Sequence, residues 1–489
     1  MPETTMEAVS IFKRPRSDKE IARLLAGACV VLYVVIFAVL FLIGSSRGAT
    51  PEQMIGLTLG DHIDTVEYRM LAENLLHEGR YALSPDAPSE FARVPGYPAF
   101  LAFVLLIFRT ILVVPVIQIF FTAFTVALIY LIGVRYFPRP VAIFAAAVYM
   151  IDPVVIFATW WILSESLFIL LFLASVYVIS VSAKRTWVPY AIAGVLLGLS
   201  AYVRPLGQYV APIIACMALA SALSWRIGIR NAAIFLAAAA VVMSPWFVRN
   251  YEQSGHIAFS SIRDWQLFIN MSLFEQFRTG VNYEDTQKKL SEPLGTTDEH
   301  LLRQFEYTDQ LRAIAMPKYL AHPFQYLGWY ALTAEKLFVS SSIVRIQYHF
   351  RQSGILTSEQ PRGEGTWGML VRHEWRQAFV QTFTHLPRLG ERIFLAVMYL
   401  SAVITTVVVV LRRSVFGKVR TIWIVCAFVL IHLYALLVSP WTDDTRYRMP
   451  IQPFIFLIGA YGIYMAWPTI RKYLWFDRAT TPPHFQSEK

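Results

Sequence analysis

Two acidic residues lie in a polar segment that follows the first apolar run, and their carboxylates could take part in a reaction there. These residues are Asp61 and Asp64, and Asp64 is followed at helical spacing by Tyr68, Ala72 and Leu75. The spacing predicts an amphipathic helix on a membrane surface with a carboxylate at its start. Either aspartate could simply cap that helix, because Asp is a favoured N-cap residue and a negative charge suits a helix N-terminus. The alternative is that the carboxylate reacts, and the neighbouring polar groups decide between the two.

Five further polar groups lie beside apolar runs, where a lipid-facing helix would not tolerate them cheaply. Most contain arginine, which at a membrane boundary either extends to lipid headgroups or binds oxyanions with its planar fork. Aromatic residues among them are typical of interfacial anchors when they occur alone. The groups are Arg93-Val94-Pro95-Gly96-Tyr97-Pro98, Ser164-Glu165, Arg204-Pro205, Pro245-Trp246-Phe247-Val248-Arg249-Asn250-Tyr251 and Arg446-Tyr447-Arg448-Met449-Pro450.

Metal and disulfide chemistry find little support in the sequence. Asp443 and Asp444 could hold a divalent cation together with Asp64, but carboxylate pairs in exposed loops are usually solvated, so we expect no cofactor and no metal. The three cysteines lie inside apolar runs without a CxxC pattern, which is typical of small buried hydrophobes. They are Cys29, Cys216 and Cys426.

The composition places these groups in a membrane protein. Of 489 residues, 56% are hydrophobic and 16% are charged, and the mean hydropathy is +0.49, whereas about a quarter of the residues of a soluble domain are charged. The net charge of +10 could suggest nucleic acid. Because the basic residues are dispersed between apolar runs rather than gathered in one patch, we expect no nucleic-acid partner and attribute the charge to membrane orientation.

The apolar runs predict an all-α polytopic bundle of about ten spans, or eleven. If the N-terminus is cytoplasmic, every second loop is basic, as the positive-inside rule requires. The predicted spans are 23–44, 112–134, 140–158, 164–183, 187–203, 207–223, 231–247, 392–411, 421–439 and 450–469. The inward loops contain Lys13, Arg14, Arg16, Lys19, Arg135, Arg139, Lys184, Arg185, Arg226, Arg230, Arg412, Arg413, Lys418, Arg420, Arg471 and Lys472.

This topology divides the chain into five parts and places all the polar groups on the outer face. The parts are a cytoplasmic N-terminus (1–22), an N-terminal membrane module (23–247) with a first outer loop (45–111), a mostly polar outer segment (248–391), C-terminal membrane helices (392–469) and a cytoplasmic tail (470–489). The apolar run 97–108 is too short to span and predicts an interfacial helix. The run 326–345 is expected to be re-entrant or interfacial, since a span there would place the basic loops that follow it on the outer side of the membrane. The first span lacks a convincing cleavage site, so we expect a retained anchor.

In order, number and side of the membrane, these groups resemble those of the GT-C glycosyltransferases. The resemblance is greatest to glycosyltransferase family 39, which includes protein O-mannosyltransferases and lipid A aminoarabinose transferases. It rests on Asp64-x-x-x-Tyr68 with Ala72 and Gly79-Arg80-Tyr81, Arg93-x-Pro95-Gly96-Tyr97-Pro98, Ser164-Glu165, Arg204-Pro205, Pro245-Trp246-x-x-Arg249-Asn250-Tyr251 and Arg446-Tyr447-x-x-Pro450.

The resemblance implies a GT-C helix bundle with juxtamembrane helices on its outer face, in a bacterial cytoplasmic membrane. It implies an inverting transfer of sugar from a polyprenyl-phosphate-linked donor to a hydroxyl acceptor, with Asp64 as the base, Asp61 as the second choice and Glu165 orienting the acceptor. Such a transfer needs a base for the acceptor proton and cations for the departing phosphate. The expected substrate-binding residues are Tyr68, Arg93, Tyr97, Arg204, Trp246, Arg249, Asn250, Arg446 and Arg448, with two or three of the five arginines on the phosphate.

Two other functions stay open at this point. A transporter or flippase of lipid-linked sugars should show pseudo-symmetric halves and ionisable residues at mid-membrane, and neither is evident in the sequence. A polymerase or ligase of cell-wall polymers within the broader GT-C group would share the site and differ in its donor. The acceptor could be a cell-envelope glycan, a lipid or a protein. The sequence has no insertion the size of the β-trefoil that eukaryotic protein mannosyltransferases carry, which weakens the case for a protein acceptor.

Overall fold

The structure is a computed structural model that describes residues 17–55, 63–182, 186–220, 224–343, 346–347, 376, 386–438 and 445–474. Within these ranges the chain is helical, and its β pairing is limited to one bridge between Ala82 and Ser89. The predicted all-α class is therefore confirmed for the described part. The helices are α1 (Asp18–Ser46), α2 (Pro51–Met54), α3 (Ile63–His77), α4 (Gly96–Phe108), α5 (Val114–Tyr136), α6 (Arg139–Ile151), α7 (Pro153–Trp160), α8 (Glu165–Val181), α9 (Val188–Val203), α10 (Leu206–Ala220), α11 (Trp225–Ser254), α12 (Ile262–Thr279), α13 (Tyr283–Ser291), α14 (Glu299–Leu302), α15 (Thr308–Ala321), α16 (Pro323–Val339), α17 (Leu386–Leu411), α18 (Arg413–Phe416), α19 (Lys418–Val438) and α20 (Gln452–Leu474), with 3₁₀ helices at Glu292–Leu294, Phe305–Tyr307 and Thr445–Arg448.

Five of the described helices are long and apolar enough to cross a membrane, namely α1, α5, α11, α17 and α19. They turn large apolar side chains outward, and Val31, Leu42 and Val241 are at least 65% exposed. Such faces are stable in lipid and unfavourable in water, so the chain is an integral membrane protein. Nine of the ten predicted spans overlap a single described helix, but α8, α9 and α10 have only 17, 16 and 15 residues. The count of about ten spans, or eleven, therefore stays a prediction.

The predicted third span, 140–158, is a bent pair of helices rather than one straight helix. Helices α6 and α7 meet at an angle of 52°. Proline has no N–H to donate and disfavours helical geometry at the residue before it, so Pro153 ends α6 at Asp152. Asp152 is extended, and its carboxylate accepts from Val154 N at 2.9 Å. The bend thus begins a new helix with an acidic cap inside the bundle.

Close helix packing in the bundle depends on small residues where α9 crosses α11. A Cβ at Gly198 would lie 2.7 Å from Val242 Cβ, and one at Gly194 would collide with Phe235 O. In lipid, helices associate through van der Waals contact at such small-residue positions rather than through a hydrophobic driving force. This contact holds the end of α9, where Arg204 follows, against α11.

The predicted outer segment 248–391 has a small core of its own. Trp265, Phe268, Leu311 and Ala315 are buried together between α12 and α15. Helix α11 extends past the predicted end of its span and stops at Ser254, where Gly255 adopts a φ of +75°. Residues 344–345, 348–375 and 377–385 of the segment lie outside the described part of the chain.

Candidate functional site

Helix α3 carries Asp64 in its first turn, as the sequence predicts. Two side chains on this helix attach it to the segment before α8: Thr65 Oγ1 donates to Ile162 O at 3.1 Å, and the Tyr68 hydroxyl lies 3.3 Å from Ser164 Oγ. Tyr68 is 7% exposed and Ala72 is fully buried. The predicted apolar face is therefore packed inward, and this packing fixes the position of Asp64.

The Asp64 carboxylate lies between two guanidinium groups. Arg93 Nη2 donates to its Oδ1 at 2.5 Å, and Arg446 Nη2 donates to its Oδ2. The side chain is 16% exposed, and those of Arg93 and Arg446 are 18% and 7% exposed. Three residues that the sequence predicted for the site from separate motifs thus meet at one carboxylate.

Glu67 is a fourth member of this cluster, and the sequence reasoning missed it. Arg93 Nε donates to Glu67 Oε2 at 2.7 Å, and Arg303 Nη1 donates to Oε1 at 2.8 Å. Burial works to raise the pKa of Glu67, but the two guanidinium groups outweigh it and lower this pKa below its ordinary value. Its spacing of three residues from Asp64, on the same helix face, is the signal that could have identified it.

Glu165 begins α8 and is completely buried. Arg204 Nη1 lies 2.5 Å from its Oε1, and Arg446 Nε lies 3.5 Å from the same oxygen. Its other oxygen, Oε2, has no hydrogen-bond partner among the described residues. Burial opposes the charge of Arg204, but Glu165 more than compensates and raises the pKa of Arg204. Arg446 therefore links the two predicted catalytic acids, Asp64 and Glu165.

Asp64 and its neighbours form the wall of a cavity of about 160 Å³. One side is polar and cationic, whereas the ends of α10 and α19 contribute an apolar side. Helix α12 and the residues just before it supply the remainder. The lining residues are Asp64, Tyr68, Ala92, Arg93, Val94, Val203, Arg204, Pro205, Leu206, Tyr209, Ser260, Ile262, Arg263, Gln266, Tyr434, Leu437, Val438 and Tyr447.

Aromatic rings contact three arginines of this site, two of which, Arg93 and Arg204, line the cavity. The guanidinium of Arg93 lies 5.4 Å from the centre of the Tyr68 ring, and those of Arg204 and Arg446 each lie 5.1 Å from the centre of the Tyr447 ring. Such cation–π contacts hold a guanidinium in place without neutralising it.

Tyr97, predicted to bind substrate, lies behind the cavity wall. Its ring packs edge-on against Tyr68 at 5.0 Å, and its hydroxyl donates to Gln118 Oε1 at 2.8 Å. The side chain is fully buried. Tyr97 therefore positions Tyr68 from within the bundle.

The structure does not bring Trp246, Arg249 and Asn250 to the cavity lining. Trp246 Nε1 donates to Phe259 O at 3.0 Å, Asn250 Nδ2 to Ala258 O at 2.8 Å, and Arg249 Nη1 to Glu90 O at 2.9 Å. Buried backbone carbonyls need such donors. These three residues, which the motif predicted for substrate, brace the two segments that supply Ala92 and Ser260 to the cavity.

Arg448 belongs to a second buried cluster. Its Nη2 lies 2.8 Å from Glu391 Oε1 and 3.8 Å from Asp152 Oδ1, its Nη1 donates to Ser340 O, and its side chain is 1% exposed. Gln452 Nε2 donates to the other oxygen of Asp152 at 2.8 Å. Although only one residue separates Arg448 from Arg446 in the chain, the 3₁₀ turn directs the two side chains to different partners, and Arg448 is absent from the cavity lining.

Some predicted acidic residues lie outside the described residues, namely Asp61, Asp443 and Asp444. In the part of the chain that the structure describes, no group of three or more His, Cys, Asp or Glu residues could hold a metal ion.

Comparison with known proteins supports the resemblance stated from the motifs. Residues 88–248 match the family model described as dolichyl-phosphate-mannose-protein mannosyltransferase, a GT-C family. The matched region contains Arg93, Tyr97, Glu165, Arg204 and Trp246. No curated protein sequence matches the chain. The resemblance to GT-C glycosyltransferases is therefore confirmed.

The solved structures to which the chain is similar include those of AglB and ArnT. The oligosaccharyltransferase AglB of Archaeoglobus fulgidus, in complex with an inhibitory peptide and a dolichol-phosphate, matches with a TM-score of 0.45 and 13% identity over 93% of this chain and 53% of AglB. The same enzyme tethered to an acceptor peptide matches with a TM-score of 0.47 and 14% identity over 92% of this chain and 51% of AglB. ArnT of Cupriavidus metallidurans bound to undecaprenyl phosphate matches with a TM-score of 0.37 and 12% identity over 93% of this chain and 81% of ArnT. The chain spans about half the length of the archaeal enzyme.

Proposed function

We propose that the chain is an inverting glycosyltransferase that moves a sugar from a polyprenyl-phosphate-linked donor to a hydroxyl acceptor on the outer face of the membrane. The observation that carries the proposal is the carboxylate of Asp64 on the wall of a cavity that it shares with the guanidinium groups of Arg93 and Arg204. The family match over residues 88–248 supports the same chemistry.

The charges around the cavity favour a phosphate ligand. Among the described residues, three guanidinium groups and one carboxylate line the cavity: Arg93, Arg204 and Arg263 against Asp64. A donor phosphate would compete with the carboxylates for Arg93 and Arg204, which line the cavity. As the guanidinium group of Arg93 turns to the phosphate, Asp64 Oδ1 regains a lone pair with which to accept a proton.

The reaction then needs one proton transfer and one substitution. The acceptor oxygen attacks the anomeric carbon while its proton passes to Asp64. The bond between the anomeric carbon and the phosphate oxygen breaks, and its electron pair leaves with the polyprenyl phosphate. The guanidinium groups stabilise the charge that develops there. Because attack and departure occur on opposite faces of the sugar, the anomeric configuration inverts.

The apolar side of the cavity is suited to the lipid part of the donor. Leu206 at the start of α10 and Leu437 and Val438 at the end of α19 line it. These two helices pack against each other, and a prenyl chain would leave the cavity beside them towards the bilayer. The acceptor would approach from the side of Arg263 and Gln266 on α12, which belongs to the outer segment.

The test is a transfer assay with the purified full-length chain, polyprenyl-phosphate mannose and a panel of hydroxyl acceptors. Asp64→Asn keeps the shape of the side chain but removes the base, so we expect turnover to fall by a factor of about 100 or more. Glu73→Gln is the matched control, because Glu73 lies on the same helix but is solvent-exposed and paired with Arg69. It should keep normal turnover.

Near-normal turnover of Asp64→Asn in a protein with wild-type thermal stability would refute the assignment of the base. A product with the donor's anomeric configuration, determined by NMR, would refute the inverting mechanism. Movement of the intact donor between leaflets without any transfer would favour the flippase instead.

A further inference from the structure

A second cavity, of about 360 Å³, lies at the opposite end of the bundle from Asp64. Its residues come from the last turns of α5 and α8, from Ser182 after α8, from the end of α18 with Gly417, and from the first turn of α19. They include three cationic side chains, Arg135, Lys418 and Arg420, and none of the described lining residues is acidic.

Two helices connect the two cavities and fix their separation. Helix α8 has Glu165 at its first residue, beside the Asp64 cavity, and Ser180 near its last. At 1.5 Å per residue the helix is about 25 Å long. Helix α19 runs from Lys418 in the second cavity to Val438 in the first and is about 31 Å long. The hydrocarbon core of a bilayer is about 30 Å thick, so the second cavity lies at the other membrane face.

The cationic groups of this cavity have N–H donors that make no hydrogen bond with a described residue. Arg135 Nε donates to Ser180 O at 3.2 Å, and Arg420 Nη1 donates to the Tyr461 hydroxyl at 3.1 Å. The remaining guanidinium nitrogens of both residues, and the ammonium of Lys418, make no hydrogen bond or ion pair with a described residue. In addition, the first-turn N–H groups of α19, which begins after Gly417, lack partners within the helix and suit an anion.

The positive-inside rule explains why cations occur at this face but not why three of them surround one cavity. We propose that the cavity binds the phosphate group of an anionic phospholipid from the leaflet opposite Asp64. Ile179, Phe416 and Val419 supply apolar surface beside the cations, which suits an acyl chain and favours a lipid over a free phosphate ion. Basic pockets between transmembrane helices bind phospholipid headgroups in this manner.

The test measures the binding of phosphatidylglycerol to the purified full-length chain by native mass spectrometry. The variant Arg135→Gln/Lys418→Gln removes two charge-assisted contacts, and we expect its apparent Kd to rise by at least about tenfold. The matched control is Arg412→Gln/Arg413→Gln, which removes two exposed cations of the same face that do not line the cavity. It should bind within about twofold of the wild type.

Equal losses in both double variants, or no loss in either, would overturn the proposal, because both results indicate nonspecific attraction to the membrane surface. Lys418→Gln alone is the second variant, since Lys418 is exposed and its loss should not impair folding; binding unchanged by it would also count against the site. A third arm adds inorganic phosphate. Displacement of the lipid at equal concentrations of phosphate would reassign the cavity to a soluble ion.

Discussion

Asp64 and Arg446 form an ion pair across 382 positions of the chain. The same guanidinium places its Nε 3.5 Å from Glu165 Oε1. The 3₁₀ turn Thr445–Arg448 just before α20 therefore completes a site whose acidic residues come from α3 and α8. The site therefore forms only when α3 and the turn before α20 have packed together.

Arg446→Lys tests this link. Lysine keeps the charge but has a single ammonium in place of a planar fork, so it cannot contact Asp64 and Glu165 at the same time. Loss of one charge-assisted contact costs about 1.5–3 kcal/mol, and we expect kcat to fall by a factor of about 10 to 150. Single-turnover kinetics with polyprenyl-phosphate mannose would measure this.

Arg69→Lys serves as the control for Arg446→Lys, since Arg69 forms an exposed pair with Glu73 and should tolerate the exchange. If Arg446→Lys reacted at the wild-type rate, the joint positioning of the two acids by Arg446 would be wrong.

Glu67→Gln tests the connection between α3 and the outer segment. The lowered pKa of Glu67 means that its ion pairs with Arg93 and Arg303 stabilise the fold above pH 4.5, the ordinary value, and that this stabilisation is lost as the pH falls through the lower folded value. We expect Glu67→Gln to lower the free energy of unfolding by about 1–3 kcal/mol near neutral pH. The difference in Tm between wild type and variant should shrink below pH 4.5. A difference that stays constant down to pH 3 would contradict the assignment.

The sequence predicted which helices and residues form this site better than it predicted which side chains contact each other. Helical spacing placed Asp64 and Tyr68 on one face of α3, and the structure has that helix with its apolar side buried. The alternation of basic loops predicted that the polar groups lie on one side of the membrane, and Asp64, Glu165 and Arg204 do share a cluster in the structure. These predictions depend on local periodicity and on the bilayer, both of which can be read along the chain.

The roles of individual arginines could not be read in the same way. Arg448 stands in the same motif as Arg446, and Arg249 in a motif that was predicted to bind substrate like that of Arg93. Arg249 nevertheless donates to the backbone carbonyl of Glu90, and Arg448 pairs with Glu391. A guanidinium is satisfied by a phosphate, a carboxylate or a carbonyl, and the choice depends on tertiary contacts with no local signal. The break at Pro153, which places Asp152 near Arg448, was not predicted either, although a proline inside an apolar run is a local signal for such a break.

Arg448→Met separates a structural role for Arg448 from the predicted role in binding phosphate. Removing one partner of a buried ion pair leaves the other charge uncompensated, at a cost of about 3–5 kcal/mol, and here the carboxylates of Glu391 and Asp152 would be left. We expect a clear loss of Tm, partly recovered in Arg448→Met/Glu391→Gln because the second substitution removes the stranded charge. The KM for the donor in the folded fraction should stay close to that of the wild type, since Arg448 does not line the cavity. A rise in the KM for the donor of tenfold or more at unchanged Tm would contradict the structural role and support phosphate binding by Arg448.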